Sequence, residues 1–282
     1  MVRMDGLNLT LRQAFPATII KINSLEIGRD FILIAGPCSV ETEEQMLETA
    51  REVKMAGANI LRGGAFKPRS SPYSFQGLGL KGLKILRQVG EEVGLPVVSE
   101  VLDPRDVGWM AEYVDLFQVG ARNMQNFSLL KEVGQTKIPI ILKRGMNSTI
   151  QEWLLCAEYI LTSGNPNVIL CERGIRTFER YSRNTLDITA VPAVKELSHL
   201  TIIVDPSHAT GKASLVPALS LAAVAGGADG LMIEVHYRPE QALCDGEQSL
   251  TPKEFSQLAR KIFKLRKFLE DSSSEDGREE RL

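Results

Sequence analysis

The 282-residue chain carries 33 Lys and Arg against 35 Asp and Glu, a net charge of -2, and 44% of its residues are hydrophobic. That balance argues against a nucleic-acid binder and against a polybasic membrane anchor, and the apolar share fits an ordinary globular fold. No run approaches the roughly 18 apolar residues of a membrane span, and the start, MVRMDGLNLTLRQAFP, lacks a signal peptide's apolar core.

Residues 1–30 read as an N-terminal extension in which 17–28 (ATIIKINSLEIG) form two short strands, a hairpin closing the floor of the fold. Strands and helices then alternate. FILIA (31–35) precedes a helix at 43–56, NILRG (59–63) one at 78–93, PVVSE (96–100) one at 104–112, and DLFQV (115–119) one at 126–134. IPIIL (138–142) precedes a helix at 149–163, NVILC (167–171) one at 186–198, LTIIVD (200–205) one at 214–226, and DGLMIEV (229–235) one at 252–269. The strands are near-continuous apolar runs, as parallel strands covered on both faces require. Thr42, Asp103-Pro104 and Thr251-Pro252 supply helix starts, and Gly57 and Gly94 supply stops.

Eight such units over about 240 residues predict an α/β fold, a single (β/α)8 TIM barrel at 31–270 with a short N-terminal β-extension. An open doubly wound sheet is the alternative. The tail 271–282, DSSSEDGREERL, is polar and is expected to be disordered. Four scattered cysteines (Cys38, Cys156, Cys171, Cys244) form no CxxC pair, so a cytoplasmic protein without a disulfide framework is expected.

Barrel chemistry gathers where strands end. In order, the strands run into Cys38; Arg62, Lys67 and Arg69; Glu100; Arg122; Lys143 and Arg144; Glu172 and Arg173; Asp205 and His208; and Glu234 and His236. Polar residues surface at strand ends in any α/β protein, so each one alone says little. Together, Arg62, Lys67, Arg69, Arg122, Lys143 and Arg173 make a rim suited to phosphate and carboxylate, hence to a small polyanionic substrate. Cys38, His208, Glu234 and Asp245 can supply a thiolate, an imidazole and two carboxylates to one divalent transition metal, which could be Mn, Fe, Co, Cu or Zn.

Two motifs fail on context. Gly77-Leu78-Gly79-Leu80-Lys81-Gly82 matches GxGxxG, but KPRSSPYSFQ separates it from the preceding strand, where the dinucleotide fingerprint must begin. Gly211-Lys212 would need a glycine at Pro206 to make a phosphate loop.

The segments AGPCSVET (35–42), GGAFKPRSS (63–71), VSEVLDP (98–104), QVGARNMQN (118–126), ILKRGMNST (141–149), CERGIRTFE (171–179), VDPSHATGK (204–212) and EVHYRPEQALCDGEQSL (234–250) resemble, in order, DAHP synthases of the barrel-only type I-beta kind. The resemblance spans roughly 17–268. It implies condensation of phosphoenolpyruvate with D-erythrose 4-phosphate, the first step of the shikimate route to chorismate and the aromatic amino acids. It implies that Cys38, His208, Glu234 and Asp245 bind metal, and that Arg62, Lys67, Arg122, Lys143 and Arg173 bind phosphoenolpyruvate. Pro68, Arg69, Ser70 and Asp245 would hold erythrose 4-phosphate, with Ser70 where relatives often have Thr. Lys143, Glu100 and His208 would be catalytic, Glu100 and Lys143 by orienting or activating water; His236 is an alternative proton-handling residue.

The nearest alternative is 3-deoxy-D-manno-octulosonate-8-phosphate synthase, whose substrate loop reads KANRSS where this chain has Lys67-Pro68-Arg69-Ser70-Ser71, and which lacks the GARN found at 120–123. A catalytically silent scaffold is the reading from another class. The resemblance suggests a homo-dimer or homo-tetramer. Only a short segment precedes Ala17 and a short tail follows Asp271, so little feedback inhibition by an aromatic amino acid is expected from this chain alone; a site between subunits or on a separate partner, such as a chorismate mutase, stays open. Cys244 adjoins Asp245, so loss of metal could bring it into a disulfide with Cys38.

Overall fold

The structure, a computed structural model, describes residues 5–68 and 71–279, and side chains as far as residue 272. Strands β1 (Ile20–Ile22) and β2 (Leu25–Ile27) pair antiparallel, turning at Asn23 with φ of 53°, a conformation Asn tolerates better than most residues. Eight parallel strands follow: β3 (Ile32–Gly36), β4 (Ile60–Arg62), β5 (Val97–Glu100), β6 (Leu116–Val119), β7 (Ile140–Lys143), β8 (Val168–Glu172), β9 (Thr201–Val204) and β10 (Gly230–Glu234). They close into a barrel because β10 also pairs with β3, from Gly230 opposite Ile32 to Glu234 opposite Gly36.

Helices α1 (Glu43–Met55), α2 (Leu80–Val93), α3 (Val107–Met110), α4 (Phe127–Gly134), α5 (Ile150–Thr162) and α6 (Ala190–Leu197) separate the strands. A short α7 (Pro206–Thr210) and then α8 (Val216–Ala225) follow β9, and α9 (Pro252–Glu279) follows β10. Thr42 caps α1 by accepting from the backbone of Gln45, and Thr149 with Glu152 forms a reciprocal capping box on α5. No helix among the described residues is long and apolar enough to cross a membrane.

Two apolar cores result from the period-two alternation of strand side chains. Leu33, Leu61, Phe117, Leu142, Leu170, Val204 and Ile233 point outward and pack with the helices. Ile34, Ile60, Val98, Leu116, Ile141, Ile169, Ile203 and Met232 point inward and fill the lumen, where Ile20, Ile22 and Ile27 of the hairpin join them. The lumen is therefore sealed at the end where the strands begin. The opposite end opens into a cavity.

One expectation needs correction. The stretch from Asp271, read as a disordered tail, continues α9 to Glu279, while 280–282 lie outside the described residues. Helix propagation adds a hydrogen bond per residue once the nucleus exists, so a helix already under way can run on through polar residues.

At the barrel seam, Gly36 has φ of 145°, and a Cβ there would collide with the Arg62 carbonyl oxygen. Gly36→Ala should lower stability by about 1–3 kcal/mol, read as a lower unfolding midpoint. An unchanged midpoint would show that the seam tolerates a side chain.

Candidate active site

The alternation that fills the lumen also decides what reaches its mouth. Two residues beyond each inward apolar residue the next inward position is Arg62 after Ile60, Glu100 after Val98, Gln118 after Leu116 and Lys143 after Ile141. On the remaining strands it is Arg173 after Cys171, Asp205 after Ile203 and Glu234 after Met232, and on β3 the same parity leads through Gly36 to Cys38. A cavity of about 330 Å³ opens here, lined by Arg62, Lys67, Pro68, Glu100, Gln118, Arg122, Lys143, Arg173, Arg183, His208 and Asp245 among others. Arg69 and Ser70 lie outside the described residues.

The buried cations are each held by a partner. Arg62 Nη2 stands 3.0 Å from Glu234 Oε1. Lys143 Nζ lies 2.5 Å from Asp205 Oδ2 and 3.5 Å from His208 Nδ1. Lys67 Nζ donates to Cys38 at both its carbonyl oxygen, 2.9 Å, and its sulfur, 3.0 Å. Burial opposes the charge on Lys67, but Cys38 and Cys244 raise its pKa overall, so it stays cationic. Burial, joined by the like charge of Arg183, lowers the Arg173 pKa, and its Nη2 bonds the His208 carbonyl at 3.1 Å. Arg122 is exposed at the rim, with Nη1 3.4 Å from the Pro68 carbonyl. Glu100 packs against Gly120, where a Cβ would overlap its carboxylate.

Cys38, His208, Glu234 and Asp245 each offer a ligand atom, and these atoms lie within 4.8 Å of one another. Asp205 caps α7 by accepting from the His208 backbone at 2.9 Å and pairs its Oδ2 with His208 Nδ1 at 2.7 Å. That bond assigns the ring proton to Nδ1 and turns the Nε2 lone pair toward Glu234 Oε1, 3.3 Å away, and Asp245 Oδ2, 3.9 Å away. Burial lowers the His208 pKa, which favours neutral imidazole. Burial works against ionised Asp245, yet His208 and Arg183 hold its pKa at about 2. Cys38 Sγ is 3.2 Å from both Asp245 Oδ2 and Cys244 Sγ. The bond to Cys244, burial and the charge on Glu234 push the Cys38 thiol well up. A divalent cation would reverse that balance. Glu234 Oε1 is buried and, apart from its ion pair with Arg62, has no hydrogen-bond partner. A buried carboxylate oxygen with no hydrogen bond beyond that ion pair, set beside a thiol, an imidazole and a second carboxylate, fits a divalent transition metal.

Some rim residues turn away. Arg144 and Glu172 have the opposite parity to Lys143 and Arg173, and they form a buried network in which Arg144 Nη1 reaches Glu172 Oε2 at 2.9 Å and Asp187 Oδ2 at 2.8 Å. His236 stands behind the mouth, its Nδ1 accepting from the Arg238 backbone and its Nε2 3.5 Å from Glu41 Oε2. Glu41, Gln118, Arg183 and Gln248 were not singled out by sequence. Gln118 could have been found by strand parity. Glu41 accepts from Ser39 Oγ at 3.0 Å and from the Leu243 backbone at 2.9 Å, tying the loops that carry Cys38 and Asp245; no periodicity in a loop could signal it.

The model of the DAHP synthetase I family matches residues 17–271. The chain belongs to that family. It is similar to the phospho-2-dehydro-3-deoxyheptonate aldolase of Thermotoga maritima, 54% identical over 249 residues that cover 88% of this chain and 74% of the relative. The crystal structure of the Thermotoga maritima DAHP synthase superposes with a TM-score of 0.91 at 51% identity, covering 94% of this chain and 78% of that one. The 2-dehydro-3-deoxyphosphooctonate aldolase of Desulfatibacillum aliphaticivorans is more distant, 32% identical over 259 residues covering 86% and 94%. The family match spans the whole succession of barrel strands, so the strand ends that build the mouth lie within it.

The 3.2 Å separation of Cys38 and Cys244 makes a prediction about metal-free protein. Exposure to air should join the two sulfurs, the thiols losing two hydrogens to dioxygen, which becomes peroxide. Peptide mapping by mass spectrometry should find the 38–244 crosslink. Free thiols at both positions after prolonged aeration would contradict it.

Proposed function

We propose that this chain condenses phosphoenolpyruvate with D-erythrose 4-phosphate and water to give DAHP and phosphate. The observation that carries this is the sharing of one mouth by a four-residue metal-ligand cluster and six cations, Arg62, Lys67, Arg122, Lys143, Arg173 and Arg183. Two phosphorylated substrates, one also a carboxylate, need that many positive groups, and an aldehyde acceptor needs an electrophilic partner. The higher identity to the heptonate aldolase than to the octonate aldolase supports the four-carbon acceptor.

Cys38, His208, Glu234 and Asp245 would hold the divalent metal, which supplies Lewis acidity to polarise the aldehyde oxygen. Arg62, Lys67, Arg122, Lys143 and Arg173 grip the carboxylate and phosphate of phosphoenolpyruvate and bring its carbon 3 to the aldehyde carbon. Pro68, Arg69, Ser70 and Asp245 hold erythrose 4-phosphate. After the carbon–carbon bond forms, water adds to carbon 2, and the bond from carbon 2 to the phosphate oxygen breaks. Glu100 and Lys143 face the same cavity, where Lys143, ion-paired with Asp205, orients that water and Glu100 takes its proton, while Arg122, Lys143 and Arg173 receive the departing phosphate. His208 contributes Nε2 to the cluster, with its Nδ1 proton held by Asp205.

Turnover should be faster with erythrose 4-phosphate than with a five-carbon aldose phosphate, in a steady-state assay with phosphoenolpyruvate. The reverse preference would move the chain to octulosonate chemistry, and no turnover with either would favour a silent scaffold. A chelator should abolish activity, with recovery on adding a divalent metal. Cys38→Ala should remain folded yet inactive; a variant keeping most activity after chelation would remove Cys38 from the metal set. Heavy-oxygen water should label the sugar product, and label in the released phosphate would contradict the carbon–oxygen cleavage.

A further inference from the structure

We propose that Gln248 is a positioning residue that turns one oxygen of Glu234 toward the metal cluster, and that Arg183 sets the sense of its amide. Gln248 is buried and ends the short turn Gly246–Gln248 that follows Asp245. Its Nε2 donates to Glu234 Oε2 at 2.6 Å, and its Oε1 accepts from Arg183 Nη1 at 3.0 Å. A guanidinium only donates and a carboxylate only accepts, so an amide between them has one allowed orientation. Flipping it would set oxygen against carboxylate and nitrogen against guanidinium, two repulsions in a buried place.

The consequence falls on Glu234. With Oε2 held by Gln248, Oε1 is the oxygen left toward Arg62 and His208, and beyond the ion pair with Arg62 it makes no hydrogen bond. Glu234 thus offers a single oxygen to the cluster. Arg183 also stands 3.7 Å from Asp245 Oδ1. One guanidinium from the loop after β8 therefore braces both carboxylate ligands, Asp245 directly and Glu234 through the amide. The Gln248 amide is spent on Glu234 and Arg183, and a guanidinium has only donors, so both residues act through the ligands.

This inference rests on the metal reading of the cluster, and the test separates the two. Cobalt(II) is titrated into metal-free protein against a chelating competitor, reading affinity and visible ligand-field bands. Gln248→Met keeps the length and burial of the side chain but removes the amide. It should weaken cobalt binding by about tenfold or more and shift the bands, because a freed Oε2 changes the donor set. Arg183→Met, at a side chain 37% exposed, should give a smaller loss of affinity with the fold intact. Thermal unfolding of the metal-free forms checks folding, and if Gln248→Met does not fold, Arg183→Met decides on the same two readings. Wild-type protein that takes no cobalt would overturn the metal reading and this proposal with it. Wild type that binds cobalt, with folded variants matching it in affinity and bands, would overturn this proposal alone.

Discussion

Every inward side chain of a barrel strand is followed, two residues later, by another inward side chain. The lumen of this barrel must be apolar where it is sealed and polar where it opens, so each strand changes character at one defined step. Ile60 gives way to Arg62, Ile141 to Lys143, Ile203 to Asp205 and Met232 to Glu234. The β1–β2 hairpin closes the other end with Ile20, Ile22 and Ile27. A shift of one residue in β4, β7 or β9 would bury Arg62, Lys143 or Asp205 among the helices and turn Leu61, Leu142 or Val204 into the mouth. Barrel closure and site assembly are therefore the same constraint.

That constraint crowds cations into a low-dielectric space, and their charges are balanced in advance. Arg62 leans on Glu234, Lys143 on Asp205 and Lys67 on the sulfur of Cys38. Two of those three partners, Glu234 and Cys38, belong to the candidate metal cluster, and the third orients His208, which also belongs to it. A divalent cation on the cluster would neutralise the partners of Arg62 and Lys67, leaving more of their positive field for an anion in the cavity. The cavity's cations and the candidate metal cluster share side chains, so an anion and a metal would each be expected to bind more weakly without the other.

Much of this is legible in the sequence, because parity and strand ends are sequence properties. Lys143, Arg173 and Glu234 could be placed at the mouth from the runs that precede them. Arg144 and Glu172 show the limit of reading strand ends without parity: adjacent to Lys143 and Arg173, they point the other way and pair with each other and Asp187. The clasp at Glu41 and the amide at Gln248 were not legible, since both sit in loops whose partners come from a different strand's loop. The helical stretch after Asp271 escaped for the opposite reason, since polar composition alone does not stop a helix already under way.

The central claim is that metal and substrate anions share one mouth built by strand parity. It is tested most directly by loading the metal-free protein with manganese(II) and recording the phosphorus NMR relaxation of added phosphoenolpyruvate. A paramagnetic ion in the same cavity should strongly enhance that relaxation in the wild type, and the effect should vanish in Cys38→Ala under the same conditions. Bound phosphoenolpyruvate whose phosphorus relaxes equally with and without the ion would contradict a shared mouth.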